Sequence, residues 1–199
     1  MTADPALRPA TYADLEAVPP HLVAEIVDGR LETHPRPRPR PRHGGAASEL
    51  AYELTGPFRR GRGGPGGWIF ISEPQLHLGP DVVVPDLAGW RRERLPVEPE
   101  TTYIETPPDW VCEILSPSTE RLDRGPKRRI YGAAGVSHLW LLEPQAKVLE
   151  CFALAAGQWL LQATFQPGDE VRVEPFDAVG FPLDGLFPFD TPQKPSEEA

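Results

Sequence analysis

The order in which apolar periodicity changes along the chain predicts a mixed α/β fold, a sheet with an antiparallel portion and few helices. Three observations carry that prediction. A hairpin signal is followed by a helical repeat, then by short apolar runs bounded by turn residues, then by a second helix leading into further strands. Apolar residues make up 40% of the 199, with 5 Trp and 8 Phe, enough for a core of one compact domain. The 26 Pro and 18 Gly stop just short of a disordered composition and predict many loops and turns. The expected boundaries are one domain over residues 1–190 and a mobile tail over 191–199.

The elements follow in order. Thr11 with Asp14 three residues later opens a short helix that Pro19-Pro20 must end. AEIVDGRLE alternates around Asp28-Gly29, a strong two-residue hairpin signal. The PRPRPRPR run cannot be helical, because alternate prolines remove donors and fix φ; it predicts an extended loop. Ala47, Leu50, Ala51 and Leu54 share one face of a helix over about 44–54. WIFIS and the segment Gln75–Leu78 read as strands, and VVVPD and WVCEIL as buried central strands. Gly125-Pro126 is expected to break the chain before a helix from Lys127 to Ala134, with Pro126 at its first position. HLWLL is another buried strand, and VLECFAL, QWLLQATF and VRV read as an antiparallel set.

Composition bounds the function. The first residues lack a basic stretch followed by an apolar run, and no segment approaches the roughly 18 apolar residues of a membrane span. Cys112 and Cys151 lie too far apart in sequence for a metal or redox motif and read as buried free thiols, which fits a reducing cytoplasm. The net charge of −9 argues against a generic nucleic-acid coat protein. That charge is uneven, however. Seven arginines fall between Arg36 and Arg62, and acids crowd the segment after Asp169.

Asp86 and Glu113 stand out because both are carboxylates in segments that otherwise read as core. Burying such a group is costly without a partner or a metal. Two readings are open: the pair converges on a divalent cation, or each pairs with an arginine or sits at an exposed strand end. No nucleophile elbow is present, and GRGGPGG lacks the lysine of a phosphate-cradling loop.

The motif set E-x-x-D-G from Glu25, His43, Pro85-Asp86, E-x-L-S-P-S-T from Glu113, D-x-x-x-K-x-x-x-Y from Asp123 and G-V-x-x-x-W from Gly135 resembles the Uma-two family of restriction-endonuclease-like proteins. The resemblance runs from about Leu22 to Cys151 and implies a PD-(D/E)XK nuclease core with added antiparallel strands. It implies a DNA endonuclease using Mg²⁺ (or Mn²⁺), held by Asp86, Glu113 and the backbone carbonyl of Ile114. The lysine usually found two residues after the second acid is replaced by Leu115, and Lys127 is the residue matching the role. Glu25 matches an acid reaching the metal through water, and Asp123 and Tyr131 match supporting positions. Because a helix tolerates Met, Lys127→Met is expected to leave the fold nearly intact.

Arg36, Arg38, Arg40 and Arg42 could track a phosphate backbone, with His43 either touching substrate or capping the next helix. Arg91, Arg92 and Arg94 form a second basic cluster. A homodimer is expected, since a double-strand cut needs two sites and strands such as QWLLQATF leave apolar surface to cover. Two other classes compete: a silent nuclease fold that binds DNA or a protein, and a metal-dependent hydrolase of another substrate.

Overall fold

The structure, a computed structural model, describes residues 8–35 and 41–190, with only the backbone at His34 and Pro35. Four α-helices and twelve strands occur among these residues, with two π-helical turns and a 3-10 helix at Leu183–Leu186. The fold is mixed α/β, as the patterning predicts. The Arg36 to Arg40 part of the proline-arginine run and the expected tail over 191–199 lie outside the described residues.

The first helix, α1 (Tyr12–Glu16), starts as its sequence suggests. The Asp14 carboxylate accepts the backbone N–H of Thr11 at 2.8 Å and its hydroxyl at 2.7 Å, and Arg8 pairs with the same group. Strands β1 (Leu22–Val27) and β2 (Arg30–Pro35) then form the hairpin. Asp28 and Gly29 both take positive φ, as a two-residue turn requires. Helix α2 (Pro41–Leu54) buries Ala46, Leu50 and Leu54, and widens into a π-helical turn at Thr55–Arg59.

Next come β3 (Trp68–Ser72), β4 (Leu76–Leu78), β5 (Asp81–Val83), β6 (Leu87–Arg91) and β7 (Trp110–Ile114). The remaining strands are β8 (His138–Glu143), β9 (Val148–Ala155), β10 (Gln158–Phe165), β11 (Glu170–Val171) and β12 (Phe181–Pro182). Between β7 and β8 the chain forms α3 (Glu120–Leu122), a π-helical turn at Asp123–Lys127, and α4 (Arg128–Ala133).

The strands assemble into a six-stranded sheet ordered β10-β9-β8-β7-β6-β3, a four-stranded sheet ordered β2-β1-β5-β4 and the small β11-β12 pair. Among the strand pairs of the described residues, β7 and β8 alone are parallel, joined by the helical crossover. One face of the large sheet packs Trp110, Cys112, Trp140 and Cys151 against α2 and against Phe176, Leu183 and Leu186. The other packs Ala88, Val111 and Leu139 against Leu76 and Val83 of the small sheet and Ile130 and Tyr131 of the crossover. Both cysteines are buried free thiols.

Three expectations need correction. VVVPD is not one strand: β5 stops at Val83 in the small sheet, and Asp86 lies in the link that carries the chain into β6 of the large one. Pro85 offers no N–H to a ladder, so pairing ends there and the chain can change sheets. Gly125-Pro126 does not break the helix either. The π turn absorbs the hydrogen bond that Pro126 cannot donate, and α3 runs on into α4. Finally, Val171 pairs with Phe181 in β12 and does not extend the β9–β10 ladder.

Candidate active site

Alternation along β7 sends Trp110, Cys112 and Ile114 into one core, and Val111 and Leu115 into the other. Glu113 therefore points with Val111, toward the crossover helix. In the antiparallel ladder of β6 and β7, Leu87 faces Cys112, so one step further Asp86 stands across from Glu113 on the same face. The two acids, 27 residues apart in sequence, meet because two neighbouring strands end together.

Asp86 has two partners on different elements. Its Oδ2 accepts the N–H of Ile114 at 2.7 Å, satisfying the last donor of β7 where β6 no longer reaches. Its Oδ1 lies 3.3 Å from Nε2 of His43, in the first turn of α2. Burial works to lower the His43 pKa, but Asp86 and the Ile114 backbone outweigh it and the net direction is up.

Lys127 is 3% exposed and sits inside a cage of oxygens. Its Nζ lies 2.8 Å from Glu113 Oε1, 3.1 Å from Glu25 Oε1 and 3.5 Å from Asp123 Oδ1, and donates to the Val84 carbonyl at 3.2 Å. Glu25, Glu113 and Asp123 are likewise buried. Each acid comes from a different element: Glu25 from β1, Glu113 from β7, and Asp123 from one helical turn before Lys127. Asp123 shares the Lys127 face because the helix continues through Pro126. The remaining groups fix the carboxylates. Val84 N–H donates to Glu25 at 2.7 Å, and the Tyr131 hydroxyl donates to Glu113 Oε1 at 2.5 Å.

The charges are unequal. Among the described residues, three buried carboxylates surround one ammonium, with Asp86 at the border. Burial pushes the Glu113 pKa well up, helped by the charges of Asp123 and Asp86 and opposed by Lys127. Burial also raises Asp123, against Lys127. For Lys127, burial pulls down, but Glu113 and Glu25 overcome it and hold the ammonium charged. The Tyr131 hydroxyl is kept protonated by burial and by Glu113.

The structure thus brings together Glu25, Asp86, Glu113, Ile114, Asp123, Lys127, Tyr131 and His43. It does not add the described arginines to them. Arg42 forms an ion pair with Asp190. Arg91 lies over the Trp68 ring and Arg94 pairs with Asp109. This second basic cluster follows the far end of β6, about five residues or roughly 17 Å along the strand from Asp86. It therefore does not rim the site, as its place in the sequence suggests. Arg92 donates its backbone N–H to Gly67, and Arg59, Arg60 and Arg62, which precede that strand, are exposed.

Sequence reasoning missed Val84, whose backbone N–H holds Glu25 and whose carbonyl holds Lys127. Backbone groups leave no mark on residue identity, although its position just before Pro-Asp was a signal. Among the described residues, no three His, Cys, Asp or Glu side chains stand as a ready-made metal cluster, and no helix is long and apolar enough to cross a membrane.

Comparisons with known proteins agree with this architecture. A crystal structure of a "putative nuclease belonging to DUF820" from Anabaena variabilis superposes with a TM-score of 0.71 at 20% identity, covering 91% of this chain and 99% of that one. At that identity the likeness speaks for the fold. No curated protein matches the chain. The model of the Uma2 family, described as "Putative restriction endonuclease", matches residues 9–184. Over nearly its whole length, the chain belongs to the Uma2 family.

Proposed function

We propose that this chain is a divalent-metal-dependent endonuclease that hydrolyses DNA phosphodiester bonds. The observation that carries the reading is the imbalance of charge: among the described residues, Glu25, Glu113 and Asp123 are buried around a single ammonium, and Asp86 adjoins them. Structural ion pairs usually balance, whereas a surplus of buried carboxylates favours uptake of a cation. Membership of the Uma2 family supports the nuclease class.

The donor set suits a hard divalent ion. Asp86, Glu113 and the Ile114 carbonyl would hold it, all through oxygen. Glu113 Oε1 already receives Lys127 and Tyr131, so it would share its charge with the ion. When bound, the ion supplies Lewis acidity at the phosphate and makes water a stronger nucleophile. The chain's own groups do the rest. Lys127, held charged, orients the attacking water and offsets negative charge growing on the phosphate oxygens. Tyr131 fixes the Glu113 rotamer. Glu25 and Asp123 hold the Lys127 ammonium in place, and the apolar walls from Leu115 and Ile130 limit water.

A homodimer would give the two sites that a double-strand cut needs. Leu160 and Leu161 on β10, at the edge of the large sheet, are more than half exposed and support that arrangement. Buried free thiols suit a reducing compartment, the cytoplasm. A second reading, a nuclease fold that binds DNA without cutting it, draws on Leu115 at the usual lysine position and on the engagement of Glu113.

The test is nicking of supercoiled plasmid with Mg²⁺ or Mn²⁺. Cleavage by the wild type and none by Asp86→Ala is the expected outcome. Binding of plasmid with no cleavage under either ion would favour the second reading.

A further inference from the structure

We propose that Arg59, Arg60, Arg62, Arg91 and Arg92 form a clamp for the phosphate backbone of duplex DNA, set apart from the cutting site. The inference rests on the DNA reading above and adds where the duplex is held beyond the cut. It starts from what the fold brings together. The π turn at Thr55–Arg59 runs into a loop over residues 60–67, and the Gly67 carbonyl accepts the Arg92 N–H at 2.8 Å. Within that loop, a Cβ added to Gly66 would stand 3.5 Å from the Gly61 Cα. The loop therefore closes on itself and brings Arg60 and Arg62 back toward Arg92. Arg91 pairs in register with Trp68, the residue after the loop. Two basic runs distant in sequence thus share one corner of the large sheet, at its β3 edge.

The charge of that corner is unspent. All five arginines are exposed, and Arg59, Arg60, Arg62 and Arg92 make no side-chain hydrogen bond or ion pair among the described residues. Arg91 lies 4.7 Å over the Trp68 ring, with no acceptor on its N–H fork among the described residues. Glu93 follows Arg92 in the same turn, and Glu174 lies close enough to act on His138 together with Arg91. Asp109 is neutralised by Arg94. Five guanidiniums against these two acids reverse the sign of a chain whose net charge is −9, and such a local reversal draws a polyanion to that place.

The backbone under the arginines is firmly set. Gly64 packs so closely on Pro57 that an added Cβ would come within 2.6 Å, and the Gly66 N–H donates to the Pro57 carbonyl at 2.9 Å. The turn after β6 is fixed by Asp109, which accepts the Arg91 N–H and the Arg94 guanidinium, both at 2.7 Å. Guanidiniums carried on a set backbone bind phosphate at a lower ordering cost. A protein partner would need an apolar anchor at the centre of the patch. Residues 59–67 hold only arginine, glycine and proline, which lets a sugar-phosphate backbone come close. The corner stands roughly 17 Å along β6 from Asp86, the length of about five base pairs, so one duplex can reach both places.

The experiment is fluorescence anisotropy of a labelled duplex with the full chain over a series of NaCl concentrations, without divalent ion so that nothing is cut. The double variant Arg60→Gln/Arg62→Gln gives up no protein contact, and its thermal melt should match the wild type. Losing two phosphate contacts should lower the slope of log affinity against log salt by about 1.8, which weakens binding at about 0.1 M salt by up to roughly sixtyfold relative to 1 M. Arg91→Gln/Arg92→Gln should act in the same direction. Arg30→Gln, exposed on β2, should leave the slope unchanged. An unchanged slope in Arg60→Gln/Arg62→Gln would overturn the clamp, and so would an equal loss in Arg30→Gln, which would mean diffuse attraction. Poly-glutamate that displaces the duplex equally well, charge for charge, would overturn it in favour of an acidic protein partner. No binding by the wild type would overturn it too. In each of these cases plasmid nicking, measured beside it, decides the endonuclease reading separately.

Discussion

Lys127→Met is the most informative single substitution, because the structure reverses what the sequence suggests for it. As a helix residue, Lys127 should give way to Met with little effect. In the folded protein its ammonium lies among Glu113, Glu25 and Asp123, at 2.8, 3.1 and 3.5 Å. At an effective dielectric constant of about 20, each such attraction is worth roughly 5 kcal/mol before desolvation. Most of that is offset by the cost of burying the charges. What survives a one-sided removal is the cost of stranding the partners, about 3–5 kcal/mol. Met fills much the same volume as the aliphatic stem, so a cavity adds little. Total stability is typically about 5–15 kcal/mol, and the melting temperature should fall by roughly 6–20 °C for a chain of this size.

The assay is urea unfolding at pH 7 and again near pH 5. Burial raises the folded-state pKa of both Glu113 and Asp123, and removing the ammonium raises them further. A carboxyl whose folded pKa is raised costs stability as pH climbs above its unfolded value, so the penalty of the variant should shrink toward pH 5. A loss under about 0.5 kcal/mol at pH 7, the size of an ordinary surface change, would refute the reasoning. It would mean that the carboxylates hold protons and not the lysine.

Three further outcomes are expected. Asp86→Ala should cost about 1–3 kcal/mol in urea unfolding by leaving the Ile114 N–H unsatisfied, besides abolishing nicking; an unchanged midpoint would count against that hydrogen bond. Leu161→Lys, on the exposed edge strand β10, should convert the expected dimer to a monomer by light scattering without loss of fold, and a wild-type monomer would remove the dimer altogether. The α1 cap should fail in acid. Arg8 and then Thr11 hold the exposed Asp14 carboxyl well below its ordinary range. Its contribution is therefore present above the ordinary carboxylate pKa and is lost as pH falls toward the depressed one, seen as faster amide exchange at Leu15.

Elements with a strong local signal were legible without coordinates. Asp28-Gly29 specifies its turn because few other pairs accept positive φ twice. The Thr11–Asp14 box declares a helix start, and the continuous apolar run of β7 declares a strand buried on both faces. Apolar period and turn chemistry act over a few residues, so the mixed α/β class and most element positions follow from them. The motif set also named the residues that converge around Lys127.

What the chain does between neighbouring segments was decided only in three dimensions. Whether VVVPD is one strand or a crossing between two sheets depends on which partner strand is within reach. Whether Pro126 ends a helix or is absorbed by a π turn depends on how the turn after it is anchored, here by Tyr131 on Glu113 and by Ile130 in the core. The basic cluster at Arg91–Arg94 is five residues from Asp86 in sequence, and an extended strand turns that into the length of the sheet. The cage around Lys127 is also a tertiary fact. Glu25, Glu113, Asp123 and the Val84 carbonyl come from four segments, and only their convergence makes a lysine on a helix surface into a buried, charged centre. Sequence determines which groups can ionise; the distances between segments determine which of them must share one charge.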